Sequence, residues 1–584
     1  MIIQNVIFPD IYDSECALFY KYSKKLKNYN ESINSVDSYS FKTYFNSLSI
    51  RKWIKYTTIN NFKLEIIVEG HFVLNLFSID NTGSRDLIYT EEYDTNKNNI
   101  VVNIPIINNS NIIYFDIEAI KNFKFHKGYY LGYSDSTNCV KLSAIICTFN
   151  REKFLKNNIK NIISLFNKYP EYRSLLSVYI IDNGNSIENN MFNDPSIKVY
   201  QNINAGGSGG FTRGILESLN DSSTHVLLMD DDIEINYESI IRTISLLKLL
   251  KKEYSEYFIG GAMLDMFNKN IQVAAFEKFE KHWQTAFPDI NLNDDKSLLL
   301  NDFCEDIPNQ YLGWWYCCIP KIVIEKIGLP YPFFIKLDDV EFSIRNKSRI
   351  ITMNGICVWH TPFDFKIDLM SEYFTARNFI IYTLLFNDIS IISRLLLHSK
   401  YFIVSLLKFN YKTASIYTKA LEDIILGSDK LIDIDFIQNN INFFRENGDK
   451  YKKYNSIYEL GFTTKKRINR RFDLLQKIIC VFTFNGHFLP SLFLSKNGIV
   501  ALDDNEYAQL PAFFLKKNVF IINKYDKTYL DRKHSKKEFI KNIYNYLLSL
   551  IIFVCKYKKT KNNFLKKYKY MICRESWKNY LFLN

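Results

Sequence analysis

Apolar and polar positions alternate along the first part of the chain. Between about residues 41 and 119, short runs such as FKLEIIVEG, HFVLNLFSI and NIVVNIPII are separated by Gly, Asn, Asp and Ser. Alternation with a period of two is typical of strands that bury one face, and the small polar residues between them are typical of turns. Several strands at this spacing without a helical period predict a small β-sandwich or a jelly-roll-like module, placed at residues 1–138.

The pattern changes near Lys141, where apolar runs begin to alternate with helical periods. KLSAIICTFN is a continuous apolar run, and the apolar residues of the following REKFLKNNIKNIISLFNKY recur at helical spacing. LSVYIIDNG, IKVYQN and THVLLMDDD continue the order of strand and helix. This order predicts an α/β domain with a mostly parallel, Rossmann-like sheet over residues 139–385, with its ligand site at the carboxyl ends of the strands.

Strand signals fade after about Tyr382. Segments such as ISRLLLHSKYFIVSLLKF and KEFIKNIYNYLLSLIIF have helical periods, which predicts a C-terminal α-helical domain over residues 386–584. The longest apolar run, at 544–555, is shorter than the roughly 18 residues that span a bilayer, and a lysine cluster follows it. We therefore expect a cytoplasmic protein, with peripheral contact at the inner face of the cytoplasmic membrane as a further expectation.

Composition narrows the class of protein. The 584 residues are 47% hydrophobic and 23% charged, which favours several folded domains over disorder. The net charge of +12 suits an anionic partner, such as a sugar nucleotide, a nucleic acid or a membrane surface, without choosing among them. The 10 Cys residues include no CxxC pair, so neither a zinc site nor a disulfide framework is predicted. The N-terminus lacks the basic and apolar regions of a secretory signal.

Three acidic residues, Asp230, Asp231 and Asp232, follow the apolar strand HVLLM. Side chains two residues apart on a strand point to the same face, so Asp230 and Asp232 can present two carboxylates to one Mg²⁺ or Mn²⁺. Such a cation can hold a diphosphate. The alternative interpretation is an acidic turn without a ligand.

Three further segments carry candidate chemistry. The run NAGGSGGFTRG at 204–214 can bring backbone close to an anion, with a helix beginning near Phe211, but its spacing matches neither a dinucleotide fingerprint nor a P-loop. The acids of FIKLDDVEF at 334–342 suit a general base, or a helix start. His360 could be a metal ligand or a structural histidine. The two tryptophans of GWWY could form a sugar-stacking wall or belong to the core.

Taken in order, these segments resemble the galactofuranosyltransferases of glycosyltransferase family two that build cell-wall galactan. The matching segments are CTFNRE at 147–152, IDNG at 181–184, NAGGSGGFTRG at 204–214, LLMDDDIE at 227–234, WWYCCIP at 314–320, FIKLDDVEF at 334–342, VWH at 358–360 and EYFTARN at 372–378. TYFNSLSIRKW at 43–53 and IIYFDIEA at 112–119 resemble the β-sandwich that precedes the catalytic domain in that family. The resemblance covers the chain to about residue 380.

The resemblance implies an inverting GT-A glycosyltransferase that needs Mn²⁺ or Mg²⁺. Asp230, Asp232 and His360 would bind the metal, and Asp339 would be the catalytic base. The acceptor-binding residues would be Asp338, Trp314 and Trp315. The nucleotide-sugar-binding residues would be Thr148, Arg151, Asp182, Asn204, Gly206, Gly207, Arg213 and Asp231.

The favoured function is transfer of galactofuranose from UDP-galactofuranose to a glycan or a lipid-linked glycan. The first alternative keeps the fold and the chemistry but uses another donor, such as dTDP-rhamnose, in polysaccharide or O-antigen synthesis. The second alternative is a non-catalytic glycan-binding protein. We expect a homo-oligomer by carry-over from the family, and no nucleic-acid partner, because no fold signature for nucleic-acid binding is found.

Overall fold

A computed structural model of the chain describes residues 1–9, 16–29, 32–188, 191–279, 283–286, 288–303, 309–347, 349–361, 368–386, 389–456, 459, 471–501, 509–523 and 527–583. The chain divides into two units. Unit 1 contains Met1–Pro330 and Asp339–Thr361, and unit 2 contains Tyr331–Asp338 and Pro362–Asn584. The domain boundaries at 138/139 and 385/386 stay a prediction from the sequence.

Unit 1 holds most of the strands. Its strands are β1 (Ile2–Asn5), β2 (Lys21–Tyr29), β3 (Ser32–Ser40), β4 (Asn61–Asp80), β5 (Arg85–Ile104), β6 (Ser110–Tyr133), β7 (Leu142–Thr148), β8 (Leu176–Asp182), β9 (Ile197–Gln201), β10 (His225–Asp230), β11 (Ile233–Ile235), β12 (Phe258–Asp265), β13 (Ile271–Ala274), β14 (Phe276–Phe279), β15 (Trp283–Ala286), β16 (Ile290–Asn291), β17 (Gln310–Tyr311), β18 (Cys317–Pro320) and β19 (Ile350–His360). The first seven helices are α1 (Ile50–Tyr56), α2 (Glu152–Lys168), α3 (Gly206–Ser218), α4 (Tyr237–Leu249), α5 (Asp295–Asp302), α6 (Lys321–Ile327) and α7 (Asp338–Asn346).

The N-terminal strands form one sheet. Within the described residues, β1 to β6 are joined in the order β2-β3-β6-β4-β5, with β1 on β6, and all of these pairings are antiparallel. Alternate residues of β4 are buried, as the sequence predicted. Within the described residues these strands are joined in a single sheet, and the β-sandwich stays a prediction. The buried face of this sheet belongs to a hydrophobic core that continues into the α/β domain, so that Phe62 and Leu64 share a cluster with Ile240 and Ile244.

The α/β domain of unit 1 is built on a mixed sheet of ten strands within the described residues. Its main order is β11-β19-β12-β18-β10-β7-β8-β9. The half formed by β10, β7, β8 and β9 is parallel, as the sequence predicted. The other half is not mostly parallel, because the short strand β18 lies between β10 and β12 and is antiparallel to both. Four residues carry too little periodicity to predict such an insertion.

Unit 2 contains seven helices in its described part. They are α8 (Leu369–Phe386), α9 (Ile391–Leu407), α10 (Tyr411–Ile425), α11 (Ile434–Asn447), α12 (Leu474–Thr483), α13 (Lys536–Met571) and α14 (Arg574–Tyr580). A small sheet that the sequence did not predict accompanies them, formed by β20 (Lys452–Lys453), β21 (Ser495–Ala501), β22 (Lys516–Asn523) and β23 (Thr528–Lys533) in the order β20-β23-β22-β21. By length and composition, α13 is the one helix among the described residues that could cross a membrane.

Candidate functional site

Two strand ends bring the predicted metal ligands together. Strand β10 ends at Asp230, and β11 follows after a two-residue turn that contains Asp232. β11 pairs with the end of β19 so that Ile233 lies opposite His360. Ligand atoms of Asp230, Asp232 and His360 therefore all lie within 4.8 Å of one another. The prediction that these three residues lie together agrees with this geometry.

The donor set fits a hard divalent cation. His360 Nε2 lies 3.4 Å from Asp232 Oδ1 and 4.0 Å from Asp230 Oδ2. His360 and Asp232 are buried, whereas the Asp230 side chain is 37% exposed. Two carboxylates and one imidazole suit Mn²⁺, and the carboxylates alone suit Mg²⁺. The exposed side of Asp230 leaves the cluster accessible to a ligand from solvent.

Arg151 and Thr148 bind the acidic turn from the neighbouring strand end. Arg151 Nη1 lies 2.8 Å from Asp232 Oδ2 and 3.0 Å from Asp231 Oδ1, and the Thr148 hydroxyl donates to Asp231 Oδ2 at 2.8 Å. Burial opposes the charge of Arg151, but Asp231 and Asp232 outweigh it and raise the pKa of Arg151. Burial raises the pKa of Asp231 against the effect of Arg151. Asp232 thus has one oxygen toward Arg151 and one toward His360.

Asn158 is a site residue that sequence reasoning missed. It lies on α2, is buried, and its amide donates to the backbone oxygens of Asp231 at 3.2 Å and Ile233 at 2.8 Å. These bonds hold the backbone of the acidic turn. The available signal was a polar residue at a buried position of an amphipathic helix, next to Leu155 and Ile159.

The glycine-rich segment forms the first turns of a helix rather than a loop before one. Helix α3 begins at Gly206, earlier than the start near Phe211 that the sequence predicted. A Cβ added at Gly210 would lie 2.1 Å from Cys147 Sγ on β7. Because no side chain fits there, this glycine allows the helix to pack closely on the sheet. Gly206, with φ +71°, and Gly207 start the helix, and their contact with a nucleotide stays a prediction.

The other predicted nucleotide-binding residues have protein partners. The fully buried Asp182 accepts the backbone N–H groups of Gly184 at 3.0 Å and Ile187 at 2.8 Å, so it builds the turn after β8. Asn204 Oδ1 accepts the N–H of Gly206 at 3.2 Å. Arg213 Nε donates to Glu217 at 2.7 Å on the same helix. These contacts orient the residues, and nucleotide contacts for them stay predictions.

The two tryptophans of the predicted acceptor site differ in their partners. Trp315 is buried and donates from Nε1 to the carbonyl of Gly261 at 2.8 Å, which fastens it to β12. Trp314 packs edge-on against Phe211 and Phe342, with ring centroids 5.3 and 6.4 Å away. Within the part of the chain that the structure describes, Trp314 Nε1 is buried without a hydrogen-bond partner. Trp314 therefore retains a donor that a ligand hydroxyl could use.

Asp339 and Asp338 begin helix α7. Asp339 Oδ1 accepts the N–H of Val340 at 2.8 Å. Burial raises the pKa of Tyr311 and of Cys317 well above their ordinary values, and the nearby carboxylate of Asp339 contributes to both shifts. Asp339 thus lies beside a buried part of unit 1. Asp338 is buried and belongs to unit 2.

The third acid of this segment, Glu341, has a structural partner. Its side chain is 0% exposed and lies 2.9 Å from Arg345 Nε. Arg345 in turn donates to the carbonyls of Ile327 at 2.6 Å and Leu329 at 2.9 Å. Glu341 therefore anchors α7 to the end of α6 and is not available as a general base.

Two family models match parts of this chain. The model described as "Galactofuranosyltransferase 2 N-terminal" matches residues 10–132, and that of "Glycosyl transferase family 2" matches residues 143–263, which include the acidic turn. The chain is 26% identical over 439 residues to galactofuranosyltransferase GlfT2 of Mycobacterium tuberculosis, covering 69% of this chain and 67% of that protein. It is 25% identical over 426 residues to GlfT2 of Mycolicibacterium smegmatis, covering 68% and 65%.

The alignments thus span about two thirds of each relative. A solved structure of modules of Clostridium thermocellum xylanase 10B aligns with 29% of this chain and 34% of that chain, at 12% identity and a TM-score of 0.14, which is too low to bear on the fold. The family 2 match implies a GT-A fold for the α/β domain. The two family matches and both relatives identify the chain as a glycosyltransferase, and it is similar to glycosyltransferase family 2 and to galactofuranosyltransferase 2.

Proposed function

We propose that the chain is an inverting, metal-dependent glycosyltransferase that moves galactofuranose from UDP-galactofuranose to a glycan or a lipid-linked glycan. The observation that carries the proposal is the cluster of Asp230, Asp232 and His360 at the end of the sheet. The names of the two relatives favour galactofuranose as the sugar. dTDP-rhamnose and other nucleotide sugars are the competing donors.

Each residue of the site has one role in the proposed reaction. Bound at the cluster, Mn²⁺ or Mg²⁺ would neutralise the charge that develops on the leaving diphosphate. Thr148, Arg151 and Asn158 keep the acidic turn in place. Asp339 accepts the proton of the acceptor hydroxyl, so that this oxygen attacks the anomeric carbon from the side opposite the leaving group. One direct displacement without an enzyme nucleophile inverts the anomeric configuration.

The nucleotide and acceptor contacts complete the proposal. Asp182, Asn204, Gly206, Gly207, Arg213 and Asp231 surround the nucleotide, next to Thr148 and Arg151. Asp338, Trp314 and Trp315 bind the acceptor, and the Trp314 indole N–H is the donor best suited to a sugar hydroxyl.

A donor panel with two variants tests this function. Purified protein is incubated with UDP-galactofuranose, UDP-galactopyranose or dTDP-rhamnose, an acceptor oligosaccharide and Mn²⁺, and nucleotide release is measured. We expect release from UDP-galactofuranose and its loss in Asp339→Asn. Asp295→Asn is the control, because its carboxylate pairs with Lys21 and Lys42 and should leave turnover unchanged.

The outcomes separate the candidates. Release from dTDP-rhamnose alone would replace the donor and keep the reaction class. Full activity in Asp339→Asn would show that Asp339 is not the catalytic base. Binding of glycan without release from any donor would favour the non-catalytic alternative.

For the lipid-linked acceptor, we propose that unit 2 docks on an anionic membrane. One face of α13 is buried at Phe539, Tyr546 and Phe553, but Leu547 is 53% and Ile551 61% exposed. Helix α12 adds exposed apolar side chains, of which Phe482 is 78% exposed. A helix that packs along one face and exposes apolar residues on another is suited to lie in a membrane interface. The adjacent exposed lysines Lys556, Lys558 and Lys559 favour anionic lipid.

Vesicle sedimentation tests this membrane contact. We expect wild type to sediment with vesicles of phosphatidylglycerol and phosphatidylcholine, more strongly at low salt, and Leu547→Glu to sediment several-fold less. Leu87→Glu is the matched control, since Leu87 is also 53% exposed but lies on the N-terminal sheet. Equal sedimentation of the two variants would contradict the proposal. Concentration-dependent self-association that Leu547→Glu abolishes, without vesicle binding, would assign the surface to a homo-oligomer.

A further inference from the structure

The backbone just before the proposed base adopts an unusual conformation. Phe334, Lys336 and Leu337 have φ angles of +74°, +67° and +66°. Residues other than glycine rarely adopt the left-handed region, and here three of four consecutive residues do so. We call residues 334–337 the left-handed segment. It leads into Asp338, and Asp339 is the next residue along the chain. A conformation this unfavourable persists only where other groups hold it.

Two consecutive residues of α8 hold the left-handed segment. The Asn378 Nδ2 atom lies 3.2 Å from the carbonyl oxygen of Phe333 and 2.9 Å from those of Ile335 and Lys336, so its two N–H groups are shared among three acceptors. Arg377 donates to the Phe333 carbonyl at 2.8 Å. Asn378 is 0% exposed, so water does not replace these donors.

The orientation of the Asn378 amide is itself set by its neighbour. Arg377 Nε donates to Asn378 Oδ1 at 2.9 Å, which leaves the Asn378 NH₂ group to face the carbonyls of the segment. The Phe334 ring stacks on Phe374 of the same helix, with centroids 4.7 Å apart, and the Arg377 guanidinium covers the Phe374 ring at 4.7 Å. One amide, one guanidinium and one ring pair thus fasten the segment to α8.

We infer that Asn378 is a positioning residue for the glycosyl transfer: by holding the left-handed segment, it fixes the backbone from which Asp339 projects as the base. The inference rests on the proposed role of Asp339. A residue that acts only through the orientation of the base changes the chemical step and leaves binding of the nucleotide sugar and the metal intact. A residue needed only for folding changes stability and the amount of active protein instead.

The test compares Asn378→Asp with Asn485→Asp in the full-length chain. Asn485 is the matched control, because it is also 0% exposed and its amide donates to two backbone carbonyls, those of Leu407 at 2.8 Å and Phe513 at 3.0 Å. We expect Asn378→Asp to lower kcat at least tenfold with the KM for UDP-galactofuranose and the half-saturating Mn²⁺ concentration within twofold of wild type. Asn485→Asp should lower the thermal midpoint and leave kcat per active protein unchanged.

A double mutant links the effect to the base. In an Asp339→Asn background, adding Asn378→Asp should cause no further loss of residual turnover, because there is no base left to orient. If Asp339→Asn is inactive but Asn378→Asp keeps kcat within twofold, the positioning role is wrong and the proposed base stands. If Asp339→Asn keeps full turnover, the proposed base itself is wrong.

A second pair of variants tests the segment directly, in case Asn378→Asp does not fold. Lys336→Gly suits the left-handed conformation, whereas Lys336→Val opposes it, because a β-branched side chain disfavours positive φ. We expect Lys336→Gly to keep kcat within about threefold and Lys336→Val to lose kcat tenfold or more at unchanged KM. Equal kcat values for the two variants would overturn the inference.

Discussion

Glu238 and Arg242 form an ion pair that joins the N-terminal sheet to the sheet of the α/β domain. Both side chains are at most 2% exposed, and their charged atoms are 2.9 Å apart. Glu238 accepts the backbone and side-chain N–H groups of Asn5 at 2.8 and 2.6 Å. Arg242 donates to the carbonyls of Phe45 at 2.6 Å and Asn354, on β19, at 3.1 Å. Glu238→Gln keeps the size of the side chain and removes its charge.

The structure sets the expected size of the effect. Without its counter-charge, the Arg242 guanidinium stays buried among carbonyls, and breaking such a buried pair costs about 3–5 kcal/mol. Glu217→Gln is the matched control, because Arg213 and Glu217 are also four residues apart on a helix but are 14% and 25% exposed. A partly solvated pair contributes about 1 kcal/mol or less.

Urea unfolding followed by tryptophan fluorescence measures the difference, since five of the six Trp residues lie in unit 1. With a slope of about 3 kcal/mol per molar urea, Glu238→Gln should lower the midpoint by about 1 M or more, and Glu217→Gln by about 0.3 M or less. Equal shifts for the two variants would refute the claim that the buried pair fastens the N-terminal sheet.

Gly210→Ala should lower the thermal midpoint, because the added Cβ would lie 2.1 Å from Cys147 Sγ. Adding Cys147→Ala should restore part of the loss, and no recovery in this double mutant would contradict the close contact. Asn158→Leu should weaken Mn²⁺ binding several-fold in a calorimetric titration by releasing the acidic turn, and an unchanged affinity would show that the turn holds itself. Burial lowers the pKa of His225 to about 4 and of His398 to about 3 from 6.5. Below pH 6.5 the unfolded chain therefore binds more protons than the folded chain. The free energy of unfolding should be highest above about pH 6.5 and should fall by roughly 1.4 kcal/mol per pH unit for each histidine toward pH 4. A thermal midpoint that stays constant between pH 7 and pH 5 would contradict this.

The positions of Asp230, Asp232 and His360 at strand ends could be predicted from the sequence because they depend on local pattern. Asp230 and Asp232 follow a strongly apolar strand, and His360 ends another, so each was expected at the edge of the sheet. The pairing of Ile233 with His360, which brings them together, depends on the order of strands in the sheet. That order places residues far apart in the chain side by side, and periodicity alone does not encode it.

Features that depend on long-range packing could not be predicted from the sequence. The sequence around Gly210 is typical of an anion-binding loop. In the structure, the missing side chain of Gly210 leaves space for the Cys147 side chain of β7. Alternation along β4 predicts one buried face but not whether a second sheet or the α/β domain covers it. Asn378 sits in a helix with no local signal of its role, because its partners are carbonyls more than forty positions away.

The central claim is that Asp230, Asp232 and His360 hold the cation on which the transfer depends. The most direct test is the rate of UDP release from UDP-galactofuranose as Mn²⁺ is added to chelator-treated wild type and Asp232→Ala. We expect a saturable rise in wild type and no rise in Asp232→Ala at any Mn²⁺ concentration. Full turnover by chelated wild type, or the same Mn²⁺ response in Asp232→Ala, would contradict it.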